Sequence, residues 1–196
     1  MENTLVRSLV WLDFRLALVF TVFAPLLLLF WAFKVKNQVI IRSLTIYWRV
    51  ACLLAITVYL LIASLPIGFL TGWIARILMP LSLWFWEDLN EDINRNQTLL
   101  SLLYTSWRWA MVAYCAIGTL FGATFLSCGF TPLGQLSDRC QILLEAPLQY
   151  KSILHSGLSS DTLAFGAIVA LIVYAICFAS FVIFGLPKQG RIAFRD

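Results

Sequence analysis

Charged residues are scarce in this sequence. Of its 196 residues, 12% are Asp, Glu, Lys or Arg and 61% are apolar, whereas soluble globular domains carry about 25% charged residues. The mean hydropathy is +0.88. Four long runs lack charge altogether, and a water-soluble domain of this size could not cover all of them. The composition therefore excludes a disordered chain and an ordinary soluble domain, and it indicates an integral membrane protein.

Histidine is almost absent, since His155 is the single one. Bis-histidine haem sites, di-iron centres and His-Glu-x-x-His zinc sites all need more imidazoles. The glycine-rich nucleotide motifs and the Gly-x-Ser-x-Gly nucleophile motif are also missing. We therefore expect no enzyme, no catalytic or metal-binding residues and no cofactor. A pigment held through Asn, Gln, a backbone carbonyl or water stays open.

Four apolar runs predict membrane-spanning helices. Crossing the hydrocarbon core takes about 20 helical residues, and none of the four runs contains Asp, Glu, Lys, Arg or His. They are apolar on every face, unlike the alternating strands of a membrane barrel. Ion-coupled carriers depend on ionisable groups within their spans, so a coupled transporter is disfavoured. The predicted spans are Leu16–Phe33, Val50–Leu70, Ala110–Phe130 and Leu163–Leu186.

The segment after the second predicted span is unusual. Gly72–Trp86 is apolar but contains Arg76 and Pro80, and it is too short and too interrupted to span. We predict an interfacial or re-entrant helix there. The fold class is then all-α, a polytopic membrane protein with four transmembrane helices plus one interfacial or re-entrant helix, in a single domain over 1–196.

An acidic, aromatic stretch follows. On a helix, Glu87 lies beside Glu91 and Asp88 beside Asp92, which makes a compact negative face next to the membrane. Such a face is either simply solvated or a docking site for a basic partner. A magnesium-diphosphate site would need a further acidic motif, which the sequence lacks. The predicted partner-binding residues are Trp84, Trp86, Glu87, Asp88, Glu91 and Asp92.

Small residues recur at helical spacing in the last two predicted spans. This spacing lets helix backbones approach closely. We predict that these two spans pack tightly, either on each other or on another membrane subunit. The helix-packing residues are Gly118, Gly122, Gly166, Ala170, Ala175 and Ala179.

Two cysteines and the basic residues bear on orientation. Cys128 and Cys140 bracket an eleven-residue segment, and they either form a disulfide in an oxidising compartment or remain free thiols. Four spans would put both termini on one face, and the basic residues favour a cytoplasmic location for that face. The basic loop between Lys34 and Arg49 argues for the reverse. The basic residues assigned to the face of the termini are Arg7, Arg15, Arg76, Arg95, Arg108, Lys188, Arg191 and Arg195.

Four stretches resemble a family of small integral membrane proteins of cyanobacteria. They are Arg7–Arg15, Tyr47–Ala51, Arg76–Glu91 and Ser106–Ala110. The resemblance covers most of the chain and implies a thylakoid or plasma membrane, where small multi-span proteins often join larger photosynthetic or respiratory complexes. It transfers no functional residue to this sequence.

These observations predict a non-enzymatic accessory or assembly subunit of a larger membrane complex, possessing a docking segment over Trp84–Asn96. The alternative is a small channel or permease for an apolar or weakly polar solute. It would act as an oligomer, because four helices leave little room for a lined pore. The expected partners are membrane lipids and the larger complex, and no nucleic acid is expected.

Overall fold

The computed structural model of the chain describes residues 2–96, 98–132, 134–189 and 191–193, and this part is almost entirely helical, without a strand. Four helices are long and apolar enough to cross a bilayer: Thr4–Val35, Gln38–Ile62, Ile67–Trp84 and Ser160–Gly185. The predicted all-α class, with four helices able to cross a membrane and further helices beside them, is thus confirmed. The α-helices are α1 (Glu2–Ala17), α2 (Ala24–Val35), α3 (Gln38–Ile62), α4 (Ile67–Trp84), α5 (Glu87–Arg95), α6 (Leu99–Ala123), α7 (Asp138–Leu154), α8 (Ser160–Ser180) and α9 (Leu186–Gln189).

A π-helical segment, Leu18–Phe23, joins α1 and α2 into one continuous helix. Pro25 has no N–H, so it cannot donate to the carbonyl of Thr21 four residues earlier. The N–H of Ala24 reaches five residues back instead of four, which leaves the carbonyl of Phe20 without its usual helical donor. The carbonyls of Phe20 and Thr21 are therefore without a helical donor and need partners from elsewhere.

Side chains of two other helices supply those partners. The hydroxyl of Tyr47 on α3 donates to the carbonyl of Thr21 over 3.0 Å. The indole N–H of Trp107 on α6 donates to the carbonyl of Phe20 over 2.9 Å. The π-helical segment is thereby tied to both neighbouring helices.

The second predicted span, Val50–Leu70, is two helices rather than one. α3 ends at Ile62, Ser64 takes a left-handed conformation with φ of 54°, and Pro66 precedes α4. Proline cannot donate a backbone hydrogen bond, so the chain turns here and α4 packs back along α3. The turn is itself apolar, which is why the run looked continuous in the sequence.

The segment expected at the interface, Gly72–Trp86, forms most of a central helix instead. α4 packs between α3 and α6. Near its start, the indole N–H of Trp73 donates to the carbonyl of Thr119 over 3.1 Å, and near its end Trp84 contacts Trp109 with ring centroids 4.9 Å apart. These two contacts show that α6 runs antiparallel to α4 from Trp73 to Trp84.

The predicted boundaries of the other three spans agree with the helices of the structure to different degrees. Leu16–Phe33 falls within the first long helix, and Leu163–Leu186 nearly coincides with the last. Ala110–Phe130 is shifted, because α6 begins after Thr98, whose side chain accepts the N–H of Ser101 over 3.2 Å, and it ends at Ala123. The charge of Arg108, inside this helix, concealed its first half.

The two ends of the bundle carry different structures. At the end that we call the α7 end, Arg7 on α1 forms a salt bridge of 2.9 Å with Glu145 on α7. At the opposite α5 end, the N–H of Glu87 donates to the carbonyl of Arg191 over 3.1 Å. The described part of the chain therefore starts and finishes at opposite ends of the helix bundle, which differs from the arrangement assumed in the expectation of both termini on one face. With α4 inside the bundle, the described residues form five long helices, an odd number.

Candidate functional site: a charged pair beside an apolar slot

A largely buried ion pair links α1 to α4. The carboxylate of Asp13 pairs with the guanidinium of Arg76. Arg76 also donates to the carbonyl of Gly118 over 2.8 Å, and the hydroxyl of Tyr114 donates to the carboxylate of Asp13 over 3.1 Å. Arg76 lies halfway along α4, where an unpartnered charge would be costly in an apolar surrounding. The expectation that the spans contain no ionisable group is therefore wrong for α4.

An apolar slot of about 230 Å³ lies beside this ion pair. The first long helix, α3 and α4 provide its walls, and residues of α6 and α7 complete the lining. Along α3 the lining runs from Trp48 to Leu61, which corresponds to about 20 Å of helix at 1.5 Å per residue. Asp13 and Arg76 keep 23% and 16% of their side-chain surface accessible, and both line the slot.

One of the residues that line the slot, Trp48, has a buried donor without a partner in the described part of the chain. The indole N–H of Trp48 finds no acceptor within the described residues, although it is shielded from solvent. By contrast, Trp73 and Trp107 both donate to backbone carbonyls. A buried donor without an acceptor costs about 1–3 kcal/mol. Trp48 thus carries a donor that the described residues leave without an acceptor.

The acidic segment forms α5, and the chain's own C-terminal residues cover part of it. Glu87 pairs with Arg191. The carboxylate of Asp88 accepts the backbone N–H of Ala193 over 2.8 Å. Half of the predicted acidic docking face is therefore engaged within the chain.

The remaining predicted docking residues fall into two groups. Trp86 is buried, and Trp84 stacks on the guanidinium of Arg108, with 4.2 Å between Cζ and the ring centroid. Glu91 is exposed and Asp92 is half-buried. The carboxylates of Glu91 and Asp92 are thus the part of this segment that a basic partner could reach.

Arg108 is a second charge inside the helix bundle, with 1% of its surface exposed. Its guanidinium donates to the side-chain oxygen of Asn90 on α5. It also lies over the ring of Tyr104, 5.8 Å from the centroid. Asn90 and the aromatic rings therefore stabilise this charge and fix α5 against α6.

Gly118 and Gly122 provide the close approach of α6 to α4. A Cβ atom at Gly118 would lie 2.6 Å from Nη1 of Arg76, and one at Gly122 would lie 3.4 Å from Cδ1 of Trp73. The predicted tight packing of the third span therefore involves α4. The sequence pattern could not identify α4 as the helix that packs against α6, because it placed most of α4 at the membrane interface.

The small residues of α8 have different surroundings. No atom lies within 4 Å of a Cβ built at Gly166. Gly166 and Ala170 line a cleft of about 400 Å³ between α3 and α8, opposite Tyr59. Ala175 and Ala179 are exposed. The chain thus leaves this side of α8 without a close-packed neighbour.

The two glycines give a matched prediction. Gly118→Ala should lower the free energy of unfolding by about 1–3 kcal/mol, because the new methyl group overpacks against Arg76. Gly166→Ala should be neutral or stabilise by up to about 1 kcal/mol, because alanine favours the helix and meets nothing. Thermal unfolding of both purified variants in one detergent measures the difference. Equal destabilisation by the two substitutions would contradict the assigned packing.

A disulfide closes the segment between α6 and α7. Cys128 and Cys140 are bonded, with their Cα atoms 5.9 Å apart. Both are buried with Phe69, Phe125 and Leu144 at the α7 end. The alternative of two free thiols does not hold in this structure.

Several of these site residues were missed in the sequence for identifiable reasons. Asp13 resembled a charge marking a span boundary, and Tyr114 and Trp48 resembled ordinary membrane aromatics. The available signal was Arg76, an isolated charge in an apolar run that requires a counter-charge. Within the described ranges, no group of three His, Cys, Asp or Glu side chains is placed to hold a metal ion.

Comparisons with known proteins give one match. A family model described as "Protein of unknown function (DUF3177)" matches residues 7–194. No curated protein and no solved structure matches the chain. The matched range includes the ion pair, the residues of the slot, the disulfide and all but the first residues of the long helices.

Proposed function

We propose that this chain, which belongs to the family over nearly its whole length, is a non-enzymatic accessory or assembly subunit of a larger membrane complex. The observation that carries the proposal is the unfilled space at Gly166. It identifies a helix face suited to close contact with a helix of another subunit.

Gly166 differs from the other glycines in the described helices. At each of those, atoms of this chain lie within 4 Å of the position that a Cβ would take, so internal packing accounts for the missing side chain. Gly166 has no such neighbour. The comparison glycines are Gly68, Gly72, Gly118, Gly122 and Gly185.

The position of α8 supports the same interpretation. Only 6% of the most apolar stretch of its long helix is buried, against 39% for α3. Gly166 and Ala170 form a small-x-x-x-small pair along the cleft. The proposed partner is a transmembrane helix of another subunit, whose side chains would enter the cleft while the helix buries this face.

Copurification tests the proposal. The tagged protein, extracted from its native membranes in mild detergent, should comigrate in fixed stoichiometry with a larger complex, as measured by quantitative mass spectrometry. Gly166→Leu should reduce that comigration at least several-fold, because the side chain fills the cleft. Ala116→Leu adds bulk to an exposed position on α6, away from α8 and its cleft, and should leave comigration unchanged. A wild-type protein that migrates only as a free monomer would overturn the proposal.

The proposed setting is a thylakoid or plasma membrane of a cyanobacterium, with the α5 end in the cytoplasm. A disulfide at the α7 end suits an oxidising compartment. Of the basic residues that the sequence assigned to the face of the termini, the side chain of Lys188 and all of Arg195 lie outside the described residues. Basic residues favour the cytoplasmic face, and the α5 end has Lys34, Lys36, Arg42, Arg95 and Arg191, against Arg7, Arg139 and Lys151 at the α7 end.

The second candidate function is a permease for an apolar or weakly polar solute, and the slot between the helices is the observation that favours it. Liposomes containing the purified protein separate the two functions. Solute flux that depends on the protein supports a permease, whereas partner capture without flux supports the accessory subunit.

A further inference from the structure

A short segment of the chain, residues 191–193, is bound at the α5 end against the turn between α4 and α5. The guanidinium of Arg191 pairs with the carboxylate of Glu87 and donates to the carbonyl of Phe85 over 3.0 Å. It also lies over the ring of Phe85, 5.8 Å from the centroid. The carbonyl of Arg191 accepts the backbone N–H of Glu87 over 3.1 Å. Both the charge and the main chain of Arg191 are thus recognised.

Ala193 is held through its main chain and by its small size. Its N–H donates to the carboxylate of Asp88, and its carbonyl accepts from Nη2 of Arg42, each over 2.8 Å. Its side chain is 2% exposed and belongs to a buried cluster with Trp86 and Leu89. A larger side chain at this position would overpack the cluster.

The residue between these two points away from the protein. Ile192 is 48% exposed, so alternate side chains of the segment face the protein and the solvent. In the recognition of extended peptides, main-chain hydrogen bonds provide affinity and alternate side chains provide specificity. The surface therefore recognises the pattern Arg-x-Ala. We call it the α5 groove, and it consists of Arg42, Phe85, Trp86, Glu87, Asp88 and Leu89.

The bound segment is open to exchange at its rim. The side chains of Arg191 and Glu87 keep 53% and 60% of their surface accessible, and an exposed ion pair stabilises little. The other hydrogen bonds replace bonds that the same groups make to water. A tethered segment has an effective concentration of about millimolar, so a separate segment with more contacts can displace it. Glu87 and Asp88 then become available to a partner, as Glu91 and Asp92 already are.

We propose that the α5 groove docks an extended segment of a partner protein that carries Arg followed two positions later by Ala, and that residues 191–193 compete with that segment. Glu87 and Asp88 favour a basic segment and repel an acidic one. The inference rests on the proposed accessory function and names the chemistry of a partner contact at the α5 end. The groove is separate from the cleft at Gly166, so peptide binding can fail while comigration persists, and the reverse.

A photoreactive peptide tests the groove. The probe is acetyl-Gly-Arg-Xaa-Ala-amide, in which Xaa is benzoylphenylalanine at the outward position, and crosslinks to purified full-length protein are located and quantified by mass spectrometry. The released variant, Arg191→Glu with Ala193→Leu, frees the groove, because Glu87 repels the new carboxylate and leucine exceeds the available space. Crosslinks to α5 and the first turns of α3 should increase about tenfold over the wild type, whose own segment occupies most of the grooves.

Matched controls separate recognition from nonspecific labelling. Ile192→Ser changes the outward residue and should label as the wild type does. In the released variant, Glu87→Arg should abolish labelling, whereas Glu91→Arg, one turn further along α5, should preserve it. Should the released variant fail to fold, Arg191→Ala alone removes the charge without adding bulk and provides the same comparison. Labelling that does not rise above the wild type, or equal labelling by a probe with Glu in place of Arg, would overturn the proposal.

Discussion

Asp13→Ala is expected to lower the free energy of unfolding by about 3–5 kcal/mol, which is the usual cost of leaving one partner of a buried ion pair uncompensated. The guanidinium of Arg76 would lose its counter-charge while remaining largely buried against Gly118 and Tyr114. Thermal or denaturant unfolding in detergent, followed by circular dichroism, measures the loss. The same substitution should also loosen the contact of α1 with α4.

A double-mutant cycle distinguishes the ion pair from general disruption of packing. Asp13→Leu combined with Arg76→Leu should be less destabilising than the sum of the two single changes, because an apolar pair can replace an ion pair. Arg15→Ala, which removes an exposed charge two positions away, serves as the control and should cost less than about 0.5 kcal/mol. Strict additivity of the two leucine substitutions would contradict the assigned pairing.

Cys128→Ser should lower the free energy of unfolding by about 3 kcal/mol. The disulfide closes a loop with a sequence separation of 12, and cross-linking a loop of this length restricts the unfolded chain by about that amount. Reductant should lower the midpoint of thermal unfolding of the wild type by a matching amount. It should have no further effect on the Cys128→Ser, Cys140→Ser double variant.

The control for this experiment is Cys177→Ser, because Cys177 is a free, exposed thiol on α8. It should leave both the midpoint and its response to reductant unchanged. Alkylation without reductant provides a direct readout of the bond. A mass shift at both Cys128 and Cys140 in the unreduced protein would contradict the disulfide.

Sequence patterns identified the fold class because hydrophobic burial in a membrane follows composition directly. Leu16–Phe33 and Leu163–Leu186 were placed well, since charge or a polar turn marks both sides of each run. Val50–Leu70 was misread, because a turn containing Ser64 and Pro66 has side chains nearly as apolar as those of a span. In a bilayer, the hydropathy of a turn and the hydropathy of a helix need not differ.

The site was less accessible to sequence reasoning for a different reason. A charge inside a bundle is tolerated when a partner from another helix neutralises it, and hydropathy counts each residue alone. Arg76 therefore argued against a span when read by itself, although Asp13 and Tyr114 satisfy it in the fold. Similarly, Gly118 and Gly122 indicated close packing, but their spacing could not show which helix they pack against. Such pairings are properties of tertiary structure.

With α4 and α6 side by side within the bundle, the described residues form five long helices whose first and last members begin and finish at opposite ends. We therefore expect the two ends of the chain on opposite sides of the membrane. Epitope tags at each end of the chain, probed in sealed right-side-out vesicles before and after permeabilisation, test this most directly. We predict that the N-terminal tag is accessible in intact vesicles and that the C-terminal tag becomes accessible only after permeabilisation. Two tags accessible from the same side would contradict the five-helix arrangement.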